Sequence, residues 1–253
     1  MNDPPEKPAF LDLLKQFTHA RVGLERVGHA VTTAETLNFQ LSHAAARDAI
    51  HQPADFVGIQ QQLEAQHLKV LQVHSQASDR TQYLKRPDLG RLLHPEDQEK
   101  LQNMQLATRD VVIVIGDGLS ATAINQHAVR MALKLVLALQ QNGFSVAPLV
   151  LASQARVALA DPIGELLQAR LSILLIGERP GLSSSDSLGA YLTYGPRQGR
   201  MDSERNCVSN INPKGLSDET AIQSLLFLVR EALRLQFSGV QLKDESGTHM
   251  LTD

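Results

Sequence analysis

Two carboxylate side chains follow apolar segments in the second half of the chain. Asp117 stands in a glycine-rich turn after the apolar residues 111–115, and Glu178 directly follows residues 171–177. If both segments are parallel strands of one sheet, the two carboxylates emerge at its carboxyl edge, where such sheets bind ligands. Neighbouring glycines let the backbone approach closely, so two acceptor carboxylates there suit a ligand rich in N–H donors.

Each carboxylate also has a structural interpretation. Asp117 and the nearby Ser120 are residue types that cap helices. Glu178 could form an ion pair with Arg179 or Arg205, and local sequence does not separate this role from ligand binding.

The glycine turn also fits a loose dinucleotide-binding pattern. Residues 116–121 read GDGLSA, which matches G-x-G-x-x-A, where a helix N-terminus receives a pyrophosphate. That site normally has an acidic residue at the end of the second strand, and here residues 152–154 read ASQ. A nicotinamide-dependent enzyme therefore remains an alternative.

Other reactive side chains give weaker signals. Cys207 is the single cysteine of the chain and has no histidine that can be placed beside it, so we expect a small buried hydrophobe. The nine histidines lack metal-ligand spacing, and His127 on a predicted helix is expected to pack rather than act as a base. Val157 alone would be assigned to the core. The polar loop 179–187 is made of ordinary turn formers, but its length suggests a function.

A three-strand unit must position these residues. Residues 111–115 are apolar on both faces, as in a central parallel strand, and a long amphipathic helix should follow and end near Gly143. Residues 146–151 form the second predicted strand, 162–168 a short helix and 171–176 the third strand. The β-α-β-α-β order favours a parallel sheet with right-handed crossovers. Two further strands are predicted around Tyr191 and Val208, and a helix over 218–235.

The first hundred residues read mostly as helix. A helical spacing of three, four and seven connects Phe56, Ile59, Leu63, Val70 and His74. We therefore predict a smaller helical domain over residues 1–109, with a flexible tail at Met1–Pro8, followed by an α/β domain over 110–253.

Composition narrows the function. With 253 residues and 43% hydrophobic side chains the chain can bury a core, so a disordered protein is excluded. A net charge of -3 and 4% aromatic residues argue against nucleic-acid binding. No apolar segment resembles a signal peptide or a membrane span, and one cysteine argues against thiolate metal clusters, so we expect a cytoplasmic protein with no bound metal of its own.

Several longer motifs occur together in this chain. They are DVVIV (110–114) with DGLSA (117–121), LIGERPGLS (175–183), SLG (187–189), RNCVSNI (205–211), AARDA (45–49) and YLKRPDLGR (83–91). In their order along the chain they resemble the small subunit of ethanolamine ammonia-lyase, over about residues 18–235. Ser185 stands where the family pattern has proline, and Gly116 where alanine is common.

The resemblance implies a role in a heteromeric enzyme. The large subunit, a β/α barrel, would bind ethanolamine and supply the catalytic residues, so no catalytic residue is assigned to this chain. The small subunit would have a Rossmann-like domain packed against adenosylcobalamin, with Val157, Glu178 and Cys207 as the cofactor contacts carried over by motif. The absence of a D-x-H-x-x-G motif means that no histidine of this chain would ligate cobalt.

The reaction implied by the resemblance converts ethanolamine to acetaldehyde and ammonia through the adenosyl radical of the cofactor. The family also implies either the free cytoplasm or a bacterial microcompartment as location. A purely structural subunit without cofactor contact is the remaining alternative, beside the nicotinamide enzyme.

Overall fold

The chain folds around one six-stranded sheet with helices on both faces. The computed structural model describes residues 13–14, 17–18 and 21–245. Its strands are β1 (Arg26–Val27), β2 (Ala30–Val31), β3 (Val70–His74), β4 (Arg109–Gly116), β5 (Leu149–Ser153), β6 (Ala169–Gly177), β7 (Leu188–Tyr194) and β8 (Arg205–Ile211). Its α-helices are α1 (Thr33–His51), α2 (Phe56–Glu64), α3 (Arg80–Lys85), α4 (Pro95–Gln102), α5 (Ala121–Gln141), α6 (Ala160–Leu166) and α7 (Asp218–Leu235). The tail predicted at Met1–Pro8 lies outside the described residues.

The sheet is mostly parallel. Its strand order is β3-β5-β4-β6-β7-β8, and the pairs β3/β5, β5/β4 and β4/β6 are parallel. The last two strands, β7 and β8, run antiparallel to their neighbours. Strands β1 and β2 form a separate two-stranded hairpin. The predicted mixed α/β class and the parallel β4, β5 and β6 are confirmed.

Strand β4 explains why the sheet needs cover on both sides. Val111, Ile113 and Ile115 enter one core cluster with α2, α5 and α7, while Val112 and Val114 enter a second cluster with α4 and α6. All five side chains are fully buried. A run of β-branched residues without alternation is therefore stable only at the centre of a two-sided sheet.

The long helix α5 begins and ends where its sequence signals lie. The Ser120 hydroxyl accepts a hydrogen bond from the Ala123 N–H at 3.1 Å, so Ser120 is the N-cap. At the other end Gly143 has φ +80°, the left-handed conformation that glycine tolerates best. The predicted helix and its closing glycine are confirmed, as is the helix over 218–235.

Several predicted boundaries differ from the structure by two or three residues; β4 and β6, for example, begin two residues earlier than predicted. Strand β5 begins at Leu149 rather than Val146, because Pro148 has no N–H to donate to the sheet; Val146 makes only an isolated bridge with Val111. The short helix lies at Ala160–Leu166, two residues before its predicted position.

The helical interpretation of Val70–His74 was wrong. These residues form β3, which pairs with β5. Helix α2 ends at Glu64, and His67 has φ +61°, which a continuing helix cannot contain. The sheet therefore includes a strand from the region assigned to the helical domain, while the domain boundary near 109 stays a prediction. No helix within residues 21–245 is long and apolar enough to cross a membrane.

Candidate cofactor-binding surface

Asp117 supports the carboxyl edge of the sheet from inside and is not open to a ligand. Its side chain is buried and accepts hydrogen bonds from the backbone N–H groups of Gln154 at 3.0 Å and Ala155 at 2.9 Å. Burial raises the pKa of Asp117 above its ordinary value, against the effect of these hydrogen bonds and of Arg80. The expectation that Asp117 offers its carboxylate to a ligand was wrong, because the segment after β5 uses it.

The glycine turn serves close packing between strand ends. Gly118 has φ +58°, and a Cβ atom there would lie 2.2 Å from the Gly177 carbonyl oxygen. That carbonyl accepts the Leu119 N–H at 2.9 Å, while the Gly118 N–H donates to Asp117. The protein itself therefore uses the turn's N–H groups, which argues against a pyrophosphate cradle.

Glu178 directly follows the last residue of β6 and lies partly exposed at the surface. Its carboxylate accepts the Asn210 N–H at 3.2 Å and, within the described part of the chain, forms no ion pair. Arg205, one of its suggested partners, binds Asp161 instead at 2.6 Å. Partial burial raises the pKa of Glu178. Gly189 makes room for it, because a Cβ there would lie 2.9 Å from a Glu178 carboxylate oxygen.

Val157 is half-buried rather than part of the core. It opens a short 3₁₀ turn after β5, and the residue before it is tied to the rest of the chain by a 2.8 Å hydrogen bond from the Arg156 N–H to the Gly90 carbonyl. The turn therefore presents an apolar side chain beside the edge of the sheet.

Cys207 is exposed, so the expectation of a buried cysteine was wrong. It lies on β8, an edge strand of the sheet, opposite Tyr191 of β7. Desolvation by the surrounding atoms raises the pKa of the Cys207 thiol, with a smaller opposing effect of a hydrogen bond to Tyr191. A thiol that stays protonated at neutral pH is a poor nucleophile.

Two adjoining concavities bring the three predicted contacts onto one surface. The first, of about 420 Å³, is lined by Glu178, Val157 and Tyr191, and the second, of about 390 Å³, by Cys207 and the same Val157 and Tyr191. Glu178 and Val157 follow strand ends, whereas Cys207 lies further back on the face of the sheet. The surface thus continues from the carboxyl edge across β7 to β8.

Three further residues that were not predicted from the sequence shape this surface. Tyr83 is fully buried and donates its hydroxyl to the Ala155 carbonyl at 3.0 Å, and burial raises its pKa to about 12. The guanidinium of Arg156 lies 4.2 Å from the Tyr83 ring centroid and also lines both concavities. Tyr191 joins the two concavities. The proximity of Arg156 to Val157 in sequence was an available signal, whereas the contact with Tyr83 spans 73 positions.

The polar loop 179–187 is fixed to α5 and is not a free flap. Ser120 donates its hydroxyl to the Ser185 carbonyl at 2.6 Å, and a His127 ring nitrogen lies 3.3 Å from the Asp186 carboxylate. His127 is buried, as its predicted packing role requires. The loop is therefore anchored to α5. It also holds Glu178 directly, because the Glu178 N–H donates to the Ser187 carbonyl at 3.0 Å.

Two other kinds of site could carry chemistry, a metal centre and a concavity away from this surface. Within the residues that the structure describes, no three His, Cys, Asp or Glu side chains are placed to hold a metal ion. A concavity of about 350 Å³ lies at the opposite edge, at the amino ends of β3, β4 and β5, away from all three predicted contacts.

Comparison with known proteins places the chain in a family. The model of the ethanolamine ammonia-lyase light chain (EutC) matches residues 9–243. The ethanolamine ammonia-lyase small subunit of Rhodopseudomonas palustris is 51% identical over 92% of this chain and 89% of its own length. Those of Azotobacter vinelandii and Xanthomonas campestris are 49% and 48% identical, over 92% and 94% of this chain and 87% and 89% of their own lengths. The chain therefore belongs to the ethanolamine ammonia-lyase light-chain family.

Proposed function

We propose that this chain is the small subunit of an adenosylcobalamin-dependent ethanolamine ammonia-lyase and forms one wall of the cobalamin site. It would work with a large subunit that carries the substrate site, converting ethanolamine to acetaldehyde and ammonia. The observation that carries the proposal is the continuous surface shared by Val157, Glu178 and Cys207, the residues that the family resemblance assigns to the cofactor.

The chemistry of this surface suits a corrin. A corrin ring is broad and carries amide groups at its periphery, so it needs a wide, mostly apolar surface with a few hydrogen-bond acceptors. Glu178 supplies a carboxylate that no cation neutralises within the described residues, and Val157 and Cys207 supply apolar atoms. Adenosylcobalamin, when bound, supplies the radical chemistry, and this chain's residues bind it, orient it and exclude water.

The supporting framework is rigid where the contacts are made. Asp117 locks the end of β4 to the segment before Val157, and loop 179–187 is bonded to α5 on the far side of Glu178. We class the β4-α5-β5-α6-β6 unit as Rossmann-like. In such a unit the turn that contains Val157 and the loop 179–187 follow the carboxyl ends of parallel strands. A contact surface on such a frame does not need to rearrange to receive a ligand.

The test uses the chain co-expressed with a large subunit. Glu178→Ala should weaken cobalamin retention roughly tenfold, because a charged hydrogen-bond acceptor is lost, while subunit assembly is unchanged. Glu99→Ala, which removes an exposed carboxylate from α4, is the matched control and should retain the wild-type affinity.

Binding is measured by absorbance titration and assembly by size-exclusion chromatography. An assay of ammonia release with each subunit omitted in turn tests the activity. Unchanged cobalamin affinity in Glu178→Ala would contradict the contact, and a purely structural subunit would show full cobalamin binding by the large subunit alone. Binding of a nicotinamide cofactor in the same spectra would favour the dehydrogenase alternative.

A further inference from the structure

Arg156 is the cation at the centre of the candidate surface. It lines both concavities and stands next to Val157 in sequence. Arg205 also borders the second concavity, but its charge is neutralised by Asp161 at 2.6 Å. Within residues 21–245, Arg156 has no carboxylate within 4 Å. The surface therefore has a central positive charge that this chain does not neutralise.

The guanidinium of Arg156 is held in place by contacts that leave part of it unused. One terminal nitrogen donates to the Tyr83 carbonyl at 3.2 Å, and the group stacks on the Tyr83 ring. A Cβ atom at position 90 would lie 2.8 Å from the Arg156 Cγ, so the absence of a side chain at Gly90 leaves room for the Arg156 side chain. Its Nε is buried without a partner, and its second terminal nitrogen makes no hydrogen bond within the described residues and is not buried. A fixed guanidinium with unused donors suits recognition of an oxyanion.

Two exposed arginines near Arg156 lack these features. Arg91 borders the second concavity and Arg179 the first, and both are exposed to solvent. Neither stacks on an aromatic ring within the described part of the chain. A hydrated side chain loses rotamer entropy when it binds, whereas Arg156 is already ordered.

We infer that Arg156 positions cobalamin by donating charge-assisted hydrogen bonds to its phosphodiester. This inference rests on the proposed function, since it concerns the same surface. Cobalamin has amide side chains on the corrin and a single anionic phosphodiester in its nucleotide loop, so the phosphodiester is the group that a lone, ordered guanidinium would select. Glu178 at one end would accept corrin amides, and Arg156 would set the direction of the nucleotide loop.

The experiment compares two ligands on the assembled enzyme. Cobalamin has the phosphodiester, and cobinamide has the same corrin without the phosphodiester and its nucleotide. Absorbance titration of Arg156→Gln should show about 10- to 100-fold weaker binding of cobalamin and little change for cobinamide. Arg156→Lys, which keeps the charge but not the planar donor pair, should recover part of the loss.

The matched control is Arg109→Gln. Arg109 is exposed at the opposite edge of the sheet, so its substitution removes the same charge from the chain without touching the surface. It should leave both affinities unchanged, which would exclude a general effect of net charge.

The outcomes separate this inference from the proposed function. Wild-type enzyme that fails to bind cobalamin would overturn the proposed function. Wild-type binding with equal losses of both ligands in Arg156→Gln would overturn only the inference, by showing a structural role. Unchanged affinities with weaker subunit association would also overturn it and would assign the guanidinium to a carboxylate of the large subunit.

Discussion

Glu178 is the residue whose protonation state should control the candidate surface. It accepts a hydrogen bond from the Asn210 N–H, and partial burial without a cationic partner raises its pKa above the ordinary value of 4.5. Desolvation disfavours the charged form, so Glu178 protonates at a higher pH than a solvated glutamate would. Ionised Glu178 accepts amide donors well, whereas its protonated form offers a poorer acceptor.

Cobalamin affinity should therefore fall as the pH is lowered from 7 towards 5. The loss follows protonation of Glu178, whose midpoint lies above pH 4.5 because partial burial raises the pKa. Glu178→Gln cannot titrate, so its affinity should be lower than wild type at pH 7 and flat over the same interval. Absorbance titrations at several pH values measure both. A decline of equal size in Glu178→Gln would assign the pH dependence to another group.

At the scale of secondary-structure elements, one buried ion pair joins α6 to β8. Arg205 of β8 binds Asp161 at the start of α6 through two hydrogen bonds of 2.6 and 2.7 Å, and both side chains are buried. The pair keeps the turn that bears Val157 close to the strand that bears Cys207. Removing Asp161 would leave the buried Arg205 guanidinium with only the exposed Asp202 as a carboxylate partner among the described residues.

Asp161→Asn is expected to reduce the free energy of unfolding by about 3–5 kcal/mol, the usual effect of breaking a buried pair. Asp202→Asn is the matched control, because Asp202 lies 3.5 Å from the same guanidinium but is 82% exposed. Such an exposed contact contributes about 0–1 kcal/mol. Urea unfolding followed by circular dichroism gives both values. Similar losses in the two variants would show that Arg205 does not depend on its buried partner.

At the scale of the whole molecule, the N-terminal hairpin and helix α1 bury few of their side chains against the rest of the chain. Helix α1 has 19 residues, of which only Ala49 is buried. Leu37 and Leu41 remain 58% and 71% exposed, and the short strands of the β1/β2 hairpin are exposed throughout. Helix α5 differs, because most of its apolar side chains are fully buried in the core. Local stability follows the number of buried apolar contacts.

Backbone amides of α1 should exchange with solvent at least ~100-fold faster than those of α5 in the isolated chain, because α1 can open without disturbing the core. Hydrogen exchange measured by mass spectrometry resolves peptides from the two helices. Equal protection of α1 and α5 would show that α1 is held by contacts beyond those with the rest of the described chain.

Local sequence determined the elements whose signals lie close together along the chain. The two-sided apolar run of β4, the closing Gly143 and the helix over 218–235 are all properties of a few neighbouring residues, and each was predicted correctly; the cap at Ser120 was one of two interpretations of that turn. The family resemblance also assigned Val157, Glu178 and Cys207 to cofactor binding, a role that stays a prediction.

Tertiary structure decided which of the chemically suited groups are available. Asp117 and Glu178 look alike in sequence, yet three backbone N–H groups consume the first, while the second remains at the surface. Cys207 is exposed although the next residue of β8, Val208, is buried on the other face of the sheet, and Val70–His74 is a strand because β5 offers it a partner. Hydrogen-bond partners and burial depend on residues distant in sequence, as in the contact of Arg156 with Tyr83, so no local pattern could have shown them.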